Sequence, residues 1–280
     1  MEKIKLAVIG DPIDHSMSPE LHHYWFKMNS MKNISYEKIK VPKVYLLTFL
    51  KNLSKEGFLG INITLPLKEE AYMILKDMGS VCPMSEKAKA VNTVLVKEGK
   101  LYGYNTDVSG FYNSLVKNIP SDFRVQEKIS LVIGAGGAAR AVLAAFSMNG
   151  VNKVVIANRT VSRAEKMRDE LLPSAKVIPL DKIDEIVKNI DLIVNTVSIG
   201  IISGKKLNIN LNIGEKQLIC YDIIYKPYFT DFLRDAKHNN HYLVHGISML
   251  VEQGASSFKH WFGEKPEVTA DLMDYLSRYY

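Results

Sequence analysis

The most informative stretch of this chain reads Ile129-Ser-Leu-Val-Ile-Gly134-Ala-Gly136-Gly137-Ala-Ala-Arg140-Ala141. It begins with β-branched and aliphatic residues, which are typical of a buried parallel strand. A glycine-rich turn follows at once, and residues 138–148 are strong helix formers with almost no polar side chain. Strand, glycine turn and apolar helix in this order predict the phosphate-binding element of a doubly wound α/β domain.

The glycines of this turn have separate physical roles in binding a dinucleotide. Gly134 permits the tight turn, and Gly136 lets the backbone approach a pyrophosphate. The helix that follows offers N–H groups without intrahelical partners and a partial positive charge. The residues expected to contact the phosphates are Gly134, Ala135, Gly136, Gly137 and Ala138. The alternative interpretation is a tight turn in an α/β domain that binds no nucleotide.

Length and composition limit the class of protein. The chain has 280 residues, 47% of them hydrophobic, which indicates one large or two medium domains with substantial cores. No apolar run approaches a membrane span, and the run at residues 4–9 is too short for a secretory signal. Cys82 and Cys220 lack metal-ligand or redox spacing, so we expect no metal and a reducing, cytoplasmic location. The net charge of +6 suits an anionic substrate, and no basic tract indicates nucleic acid.

Two loops in the first part of the chain run from a predicted strand, at 4–9 and at 58–64, into a helix. Ligands bind at such loops in α/β sheets. Ser18 followed by Pro19 is a good start for the first helix, with the serine as N-cap. The polar residues at the two loops are Ser16, Ser18, Asn62, Thr64 and Lys68.

The remaining elements also indicate an α/β protein. A hairpin over residues 91–104 leads into a helix for which Thr106 or Asp107 is the expected cap. Residues 118–127 are expected to be a linker, and 198–216, rich in Gly, Ser and Asn, a loop. Further strands are predicted at 36–41, 153–157, 176–178, 191–195, 217–222 and 241–244. Further helices are predicted from Pro42, from Pro66, and at 161–172, 181–189, 247–261 and 267–279.

A second nucleotide-binding signal, Asn158-Arg159-Thr160-Val-Ser-Arg163, ends the strand after the glycine helix. NAD-binding proteins usually have Asp or Glu there to bond the ribose 2′-hydroxyl. A carboxylate would repel a 2′-phosphate, whereas guanidinium groups bind it bidentately. Charge-assisted hydrogen bonds contribute about 1.5–3 kcal/mol each, so Arg159 and Arg163 could favour NADP over NAD by about 10²–10⁴-fold. The alternative is that both arginines are solvated surface charges.

Hydride transfer between a nicotinamide and a carbonyl also requires a proton, which another part of the chain must supply. The candidates at strand-to-helix loops are His15, Lys68 and Asp107. From the residues alone each has an ordinary alternative. Lys68 could be a surface charge, Asp107 a helix cap and His15 a hydrogen-bonded loop residue.

Over nearly its whole length the chain resembles the shikimate dehydrogenases. The blocks that carry the resemblance are Gly10-Asp-Pro-Ile-Asp-His-Ser16-Met-Ser18-Pro-Glu-Leu-His22, Asn62-Ile-Thr64-Leu-Pro66-Leu-Lys68, Ala90-Val-Asn92-Thr93, Gly103-Tyr-Asn105-Thr106-Asp107, Gly134-Ala-Gly-Gly-Ala-Ala-Arg140, Asn158-Arg-Thr-Val-Ser-Arg163 and Met249-Leu-Val-Glu-Gln253. Several blocks are individually weak, but their joint occurrence in this order is highly specific.

The resemblance implies a reversible, NADPH-dependent reduction of 3-dehydroshikimate to shikimate, a step toward chorismate and the aromatic amino acids. By matching position, Lys68 protonates the alkoxide that develops when hydride reaches C3, and Asp107 holds Lys68 and bonds a substrate hydroxyl. The implied substrate-binding residues are Ser16, Ser18, Thr64, Asn92, Asp107, Tyr225 and Gln253. Besides the glycine turn, the implied cofactor-binding residues are Asn158, Arg159, Thr160, Arg163, Ile223 and Gly246.

Several positions depart from the family's usual pattern. His23 stands where Asn often follows the histidine, and Lys89 replaces a common glycine. His245-Gly246-Ile-Ser248-Met249 replaces a more usual Asp-Gly-Leu-Gly-Met, and the glycine at 200 lacks the common methionine after it. None of these positions belongs to the implied catalytic pair.

The expected architecture is two α/β domains. Residues 1–110 form a substrate domain, residues 111–245 form a Rossmann-type doubly wound NADP domain, and helices within 246–280 return to the substrate domain because Gln253 must reach its site. The active site is expected in the cleft between the domains, where closure excludes water. A monomer or homodimer acting on a small molecule is expected.

Two other functions stay open. A quinate/shikimate dehydrogenase that uses NAD would carry an acidic residue near Asn158, and the sequence has none there. A non-catalytic NADP-binding regulator would keep the glycine turn but would not need Lys68 and Asp107.

Overall fold

The computed structural model describes residues 3–197, 207 and 209–280. The chain divides into two compact units. The first comprises Met1–Gly110 and Val251–Tyr280, and the second comprises Phe111–Leu250. Each unit contains one sheet with helices packed on it.

The first unit contains a mixed sheet with the strand order β2-β1-β3-β5-β6-β4. The strands are β1 (Ile4–Gly10), β2 (Ile34–Lys40), β3 (Phe58–Ile63), β4 (Ser80–Val81), β5 (Thr93–Lys97) and β6 (Lys100–Tyr104). The helices are α1 (Ser18–Met28), α2 (Leu46–Asn52), α3 (Lys68–Met78), α4 (Pro83–Ala88) and the start of α5 (Thr106–Asn118). Because β1 runs parallel to β3, the loops that follow both strands lie at one edge of the sheet.

The second unit contains a parallel sheet with the order β12-β11-β10-β7-β8-β9. The strands are β7 (Ser130–Ile133), β8 (Val154–Asn158), β9 (Lys176–Pro179), β10 (Leu192–Asn195), β11 (Ile219–Asp222) and β12 (Tyr242–His245). The helices are α6 (Gly137–Met148), α7 (Val161–Leu171), α8 (Ile183–Ile186) and α9 (Asp231–His238). The order reverses between β7 and β10, as in dinucleotide-binding sheets, and Gly134 follows β7 at this reversal.

The last two helices are α10 (Gly246–Phe262) and α11 (Ala270–Leu276), and from Val251 onward they belong to the first unit. Trp261 on α10 donates a hydrogen bond from its indole nitrogen to the carbonyl of Val94 in β5 (3.0 Å). Trp25 on α1 donates to the carbonyl of Glu267, just before α11 (3.1 Å). The predicted fold class, with C-terminal helices that return to the first domain, is confirmed.

An aromatic cluster surrounds His22 between α1 and α10. The imidazole stacks on Tyr36 with ring centroids 4.5 Å apart, and Trp25, Phe258 and Trp261 also lie against it. His22 is completely buried, and among the described residues neither ring nitrogen has a hydrogen-bond partner. Burial lowers the pKa of His22 to about 3, and the nearby charge of His23 adds to the effect. The native protein therefore holds His22 neutral.

This burial predicts a pH-dependent stability. The unfolded chain takes up a proton on His22 as the pH falls through 6.5, whereas the folded chain does so only near 3. The free energy of unfolding therefore decreases as the pH is lowered from about 6.5 to about 3. Relative to His22→Phe, the wild type should lose about 2.5 kcal/mol more unfolding free energy between about pH 7 and pH 4.5. Urea unfolding at the two pH values measures the difference, and His238→Phe, at an exposed position, is the control. Parallel losses in wild type and His22→Phe would contradict the prediction.

The structure corrects two predicted helix caps. Ser18 is the first residue of α1 rather than its cap; the helix has no side-chain cap, and Ser18 instead bonds the hydroxyl of Ser16. Neither Thr106 nor Asp107 caps α5, because Asn105 accepts from the backbone N–H of Val108 (3.2 Å). Helices α4 and α9 and strand β4 were not predicted, since all three are short. Most of the loop predicted at 198–216, including the glycine at 200, lies outside the described residues.

Lys89, just after α4, adopts the left-handed conformation with φ +48° and ψ +44°. A lysine there costs about 1 kcal/mol relative to glycine, because its Cβ crowds the next carbonyl. We therefore expect Lys89→Gly to raise the free energy of unfolding by about 0.5–1 kcal/mol. Lys87→Gly, inside α4, should lower it by about 1 kcal/mol. Urea unfolding compares the variants, and a loss of stability in Lys89→Gly would contradict the account.

Candidate active site

Lys68 and Asp107 form a buried ion pair in the first unit. The ammonium nitrogen of Lys68 lies 2.7 Å from a carboxylate oxygen of Asp107, and the two side chains are 12% and 6% exposed. Lys68 is the first residue of α3, and Asp107 lies in the first turn of α5. The carbonyl of Lys68 also accepts from the N–H of Val91, which holds the start of α3 against the segment before β5. An ammonium group and a carboxylate group are thus held together by two helix starts.

Asn92 is hydrogen-bonded to Thr106, the residue before Asp107, within a dense hydrogen-bond network. Its amide nitrogen donates to the hydroxyl of Thr106 (2.9 Å) and to the side-chain carbonyl of Gln253 (3.3 Å). Its side-chain oxygen accepts from the backbone N–H of Thr106 (2.8 Å). Asn92 and Gln253, 161 residues apart in sequence, are two of the predicted substrate-binding residues, and the fold brings them together. Asn92 also fixes the start of α5, on which Asp107 lies.

Ser16, Ser18 and Thr64 lie at the edge of the sheet where β1 and β3 end. The hydroxyl of Ser16 donates to that of Ser18 (3.2 Å), and both serines are buried. Thr64 is half-buried and donates its N–H to the carbonyl of Ile9 (2.9 Å). The two loops therefore carry three hydroxyl groups near one edge of the sheet. Contact of these hydroxyls with substrate stays a prediction.

The glycine turn of the second unit has the geometry of a phosphate site. Gly134 has φ +113°, and a Cβ there would lie 2.5 Å from the hydroxyl of Thr196, so a larger residue does not fit. Its N–H donates to the carbonyl of Ala157, which ties the turn to the end of β8. A Cβ at Gly136 would meet no atom within 4 Å, and no side chain caps α6. Gly137, Ala138 and the turn residue Ala135 thus border an uncapped helix N-terminus, which fits a pyrophosphate.

The predicted ribose-phosphate residues lie at the last position of β8 and in the residues after it. The amide of Asn158 donates to the carbonyl of Thr160 (2.8 Å) and shapes the turn that carries Arg159. Arg163 lies in the first turn of α7, and Arg159, Thr160 and Arg163 are exposed. The two guanidinium groups therefore lie on a turn and a helix start that both follow the strand next to the glycine turn.

Ile223 and Gly246 are in direct contact within the second unit. A Cβ at Gly246 would lie 2.3 Å from the carbonyl oxygen of Ile223, so only glycine fits there. Tyr225 is half-buried and belongs to the same unit, whereas the other predicted substrate-binding residues belong to the first.

Sequence reasoning singled out Asn62 but missed its buried polar partners Tyr36, Thr93 and Ser257. Tyr36 donates its hydroxyl to Asn62 (2.6 Å), and the amide of Asn62 donates to Ser257 (3.0 Å) and to Thr93 (3.0 Å). Ser257 also donates to the carbonyl of Gln253, one helical turn earlier on α10. The available signal was the spacing of four residues between Gln253 and Ser257, which places both on one helix face.

The structure offers less support for the other candidate functional features. His15 is exposed in its loop. Within residues 3–197, 207 and 209–280, no group of three or more His, Cys, Asp or Glu side chains could hold a metal ion. None of the helices in the same ranges is long and apolar enough to cross a membrane.

Comparison with known proteins gives three domain matches. The shikimate dehydrogenase substrate binding domain matches residues 8–94, and the shikimate/quinate 5-dehydrogenase domain matches residues 114–228. The shikimate 5′-dehydrogenase C-terminal domain matches residues 246–272. A shikimate dehydrogenase (NADP(+)) of Azorhizobium caulinodans is 33% identical over 272 residues, which cover 97% of this chain and 95% of that protein. This chain belongs to the shikimate dehydrogenase family.

Further members of the shikimate dehydrogenase family are similar over almost the whole chain. The shikimate dehydrogenase (NADP(+)) of Nitrosopumilus maritimus is 36% identical and covers 92% of each chain. A crystal structure of shikimate 5-dehydrogenase from Thermus thermophilus, in complex with NADP(H) and shikimate, has a TM-score of 0.85 and 34% identity. It covers 99% of this chain and 100% of that chain. Lys68 lies within the first matched domain and the glycine turn within the second.

Proposed function

We propose that the protein catalyses the reversible, NADP-dependent interconversion of 3-dehydroshikimate and shikimate. The observation that carries the proposal is the buried Lys68–Asp107 ion pair, 2.7 Å long, in a chain of the shikimate dehydrogenase family. A regulator that only bound NADP would have no use for this pair, and burying two charges is costly without a function or good partners. The similar chains are named for NADP(+), and the Thermus structure contains NADP(H) and shikimate.

The mechanism divides the reaction between cofactor and protein. Bound NADPH supplies the hydride that reduces the C3 carbonyl of 3-dehydroshikimate. Lys68 gives a proton to the oxygen at C3, which becomes the hydroxyl of shikimate. Asp107 orients the ammonium group until the transfer, and its second oxygen is suited to accept a hydrogen bond from a substrate hydroxyl. In the oxidation direction Lys68 acts as the neutral amine that this transfer leaves, and it takes the same proton back from the hydroxyl at C3.

Neutral polar groups suit the rest of a small polyhydroxy acid. The hydroxyls of Ser16, Ser18 and Thr64 are suited to donate to the substrate carboxylate. Gln253 and Asn92 lie on the same network as the start of α5, which carries Asp107, so we place the ring hydroxyls there. Tyr225 is proposed as a further hydroxyl ligand.

The cofactor proposal rests on the glycine turn and on charge. Gly134 to Ala138 would bind the pyrophosphate, and Asn158 to Thr160 with Arg163 would bind the ribose and its 2′-phosphate. Ile223 and Gly246 would border the nicotinamide. This reaction would supply shikimate for chorismate and aromatic amino acid synthesis.

One observation keeps quinate open as a second substrate. The domain that matches residues 114–228 is described as shikimate/quinate 5-dehydrogenase. Quinate carries an additional hydroxyl on a saturated ring, and neutral hydroxyl ligands alone discriminate weakly against it.

The test is a panel of initial rates with the full chain. NADP⁺ or NAD⁺ is combined with shikimate or quinate, and reduced cofactor is measured. We expect the highest kcat/KM with shikimate and NADP⁺. Faster turnover of quinate with NAD⁺ would replace the substrate and cofactor assignments. NADPH binding without turnover of either acid would favour the regulator.

A further inference from the structure

The segment Ile223–Phe229, here the 223–229 segment, connects the end of β11 to α9. It carries Ile223 and Tyr225, for which the proposed function gives contacts with nicotinamide and substrate. Two residues that contact the segment have no role in the proposed reaction. These contacts involve Asp222 at the end of β11 and His245 at the end of β12.

Asp222 binds both ends of the segment. One carboxylate oxygen accepts from the backbone N–H of Ile224 (3.0 Å) and from the amide of Asn195 at the end of β10 (3.0 Å). The other accepts from the hydroxyl of Thr230 (2.7 Å), directly after the segment. Asp222 is fully buried, and burial raises its pKa to about 6 while these hydrogen bonds oppose the shift.

Thr230 couples this carboxylate to the next helix. Its hydroxyl oxygen accepts from the N–H of Leu233 and caps α9 (3.2 Å), while its hydrogen goes to Asp222. The start of the segment, its end and the first turn of α9 are therefore all connected to one carboxylate.

His245 holds the end of the segment. Its ring stacks on Tyr228 with centroids 3.9 Å apart and an interplanar angle of 3°, and it meets Phe229 edge-on at 5.0 Å. Nδ1 lies 2.9 Å from the carbonyl oxygen of Tyr228, and because a carbonyl only accepts, Nδ1 must carry the proton. Gly246 follows directly and contacts the carbonyl of Ile223. His245 and its neighbour therefore contact the segment near both of its ends.

We propose that Asp222 and His245 are positioning residues that hold the 223–229 segment in the conformation that receives the nicotinamide ring. The proposal rests on the proposed function, which gives Ile223 its contact. The anchors for pyrophosphate and 2′-phosphate lie elsewhere in the second unit, after β7 and β8. Loosening the segment should therefore misplace the reacting ring while leaving most of the cofactor's affinity intact. A displacement of about 1 Å at a reacting centre can cost about 100-fold in rate.

The experiment compares the full chain with His245→Ala, His245→Phe and Thr230→Val. We expect His245→Ala and Thr230→Val each to lower kcat for 3-dehydroshikimate reduction about tenfold. The Kd of NADPH, measured by its fluorescence, should stay within about threefold, because the phosphate anchors are intact. His245→Phe keeps the stack and loses only the Nδ1 hydrogen bond, so its kcat should fall less. Thr230→Ser keeps the hydroxyl, so its kcat should equal that of the wild type.

The matched control is His238→Ala, at the exposed end of α9, which should change neither kcat nor Kd. Unchanged kcat in both His245→Ala and Thr230→Val overturns the inference. A parallel loss of kcat, NADPH affinity and melting temperature also overturns it, because it indicates a general defect of the unit. If Thr230→Val does not fold, the kcat and Kd of the two His245 variants alone decide whether the inference holds. An inactive wild type overturns the proposed function, and this inference with it.

Discussion

Lys68→Ala is expected to lower kcat by about 10²–10⁴-fold, the usual contribution of a positioned acid or base. The Kd of shikimate should change little, because the proposed carboxylate and hydroxyl ligands are separate side chains. The structural basis is the 2.7 Å contact between Lys68 and Asp107 and the burial of both groups. Stopped-flow or steady-state rates with shikimate and NADP⁺, together with equilibrium binding of shikimate, measure the two effects.

Two further variants sharpen this test. Lys76→Ala removes an exposed lysine from the same helix and should leave kcat unchanged. If Lys68 and Asp107 act as one unit, Lys68→Ala/Asp107→Ala should lose little more activity than the worse single variant. Near-normal turnover of Lys68→Ala would exclude its acid/base role, and full additivity would exclude the coupling to Asp107.

Replacing both Arg159 and Arg163 by alanine is expected to change the cofactor preference. The ratio of kcat/KM for NADPH to that for NADH should fall by about 10²–10⁴-fold, the value of two charge-assisted contacts to a 2′-phosphate. The absolute kcat/KM for NADH should change little, since NADH has no 2′-phosphate. Initial rates with each cofactor at saturating 3-dehydroshikimate measure both values.

The control for cofactor choice is Arg168→Ala, on the same helix as Arg163 and paired with the adjacent Asp169. It should leave the ratio unchanged. If Arg159→Ala/Arg163→Ala retains the wild-type ratio, these arginines do not bind the 2′-phosphate. Equal losses for NADPH and NADH would indicate damage to the glycine-turn region.

Local backbone chemistry made the second unit predictable from sequence. The glycine turn requires a positive φ at Gly134, and the structure has +113° there. The alternation of apolar strands with helices requires crossover connections, which produce a parallel sheet. The strand order, in which β10 lies next to β7, is then the one expected for a doubly wound sheet. Each of these features depends on a short stretch of sequence whose local pattern is enough to predict it.

The site was predictable only in part, because its geometry depends on contacts between distant residues. Lys68 and Asp107 are 39 positions apart, and the residues alone gave each an ordinary alternative; the family resemblance made them a pair. The predicted cap of α5 was wrong by one or two positions, because Asn105 has an equally suitable side chain and takes this role. Short elements such as α9 depend on a cap held by Asp222, which no local pattern reveals.

The structure explains two departures from the family pattern, at Lys89 and at His245. Lys89 occupies a left-handed position, which explains physically why a glycine suits it. His245 stacks on Tyr228 and bonds its carbonyl, a contact that an aspartate could not make in the same way.

The most direct test of the whole account follows the hydride. Shikimate labelled with deuterium at C3 is incubated with NADP⁺ and the full chain, and the NADPH formed is analysed by mass spectrometry. We predict that the NADPH carries the deuterium and that the rate shows a primary isotope effect when chemistry limits turnover. Unlabelled NADPH formed at a normal rate would contradict hydride transfer from C3, and with it the reaction proposed for Lys68 and Asp107.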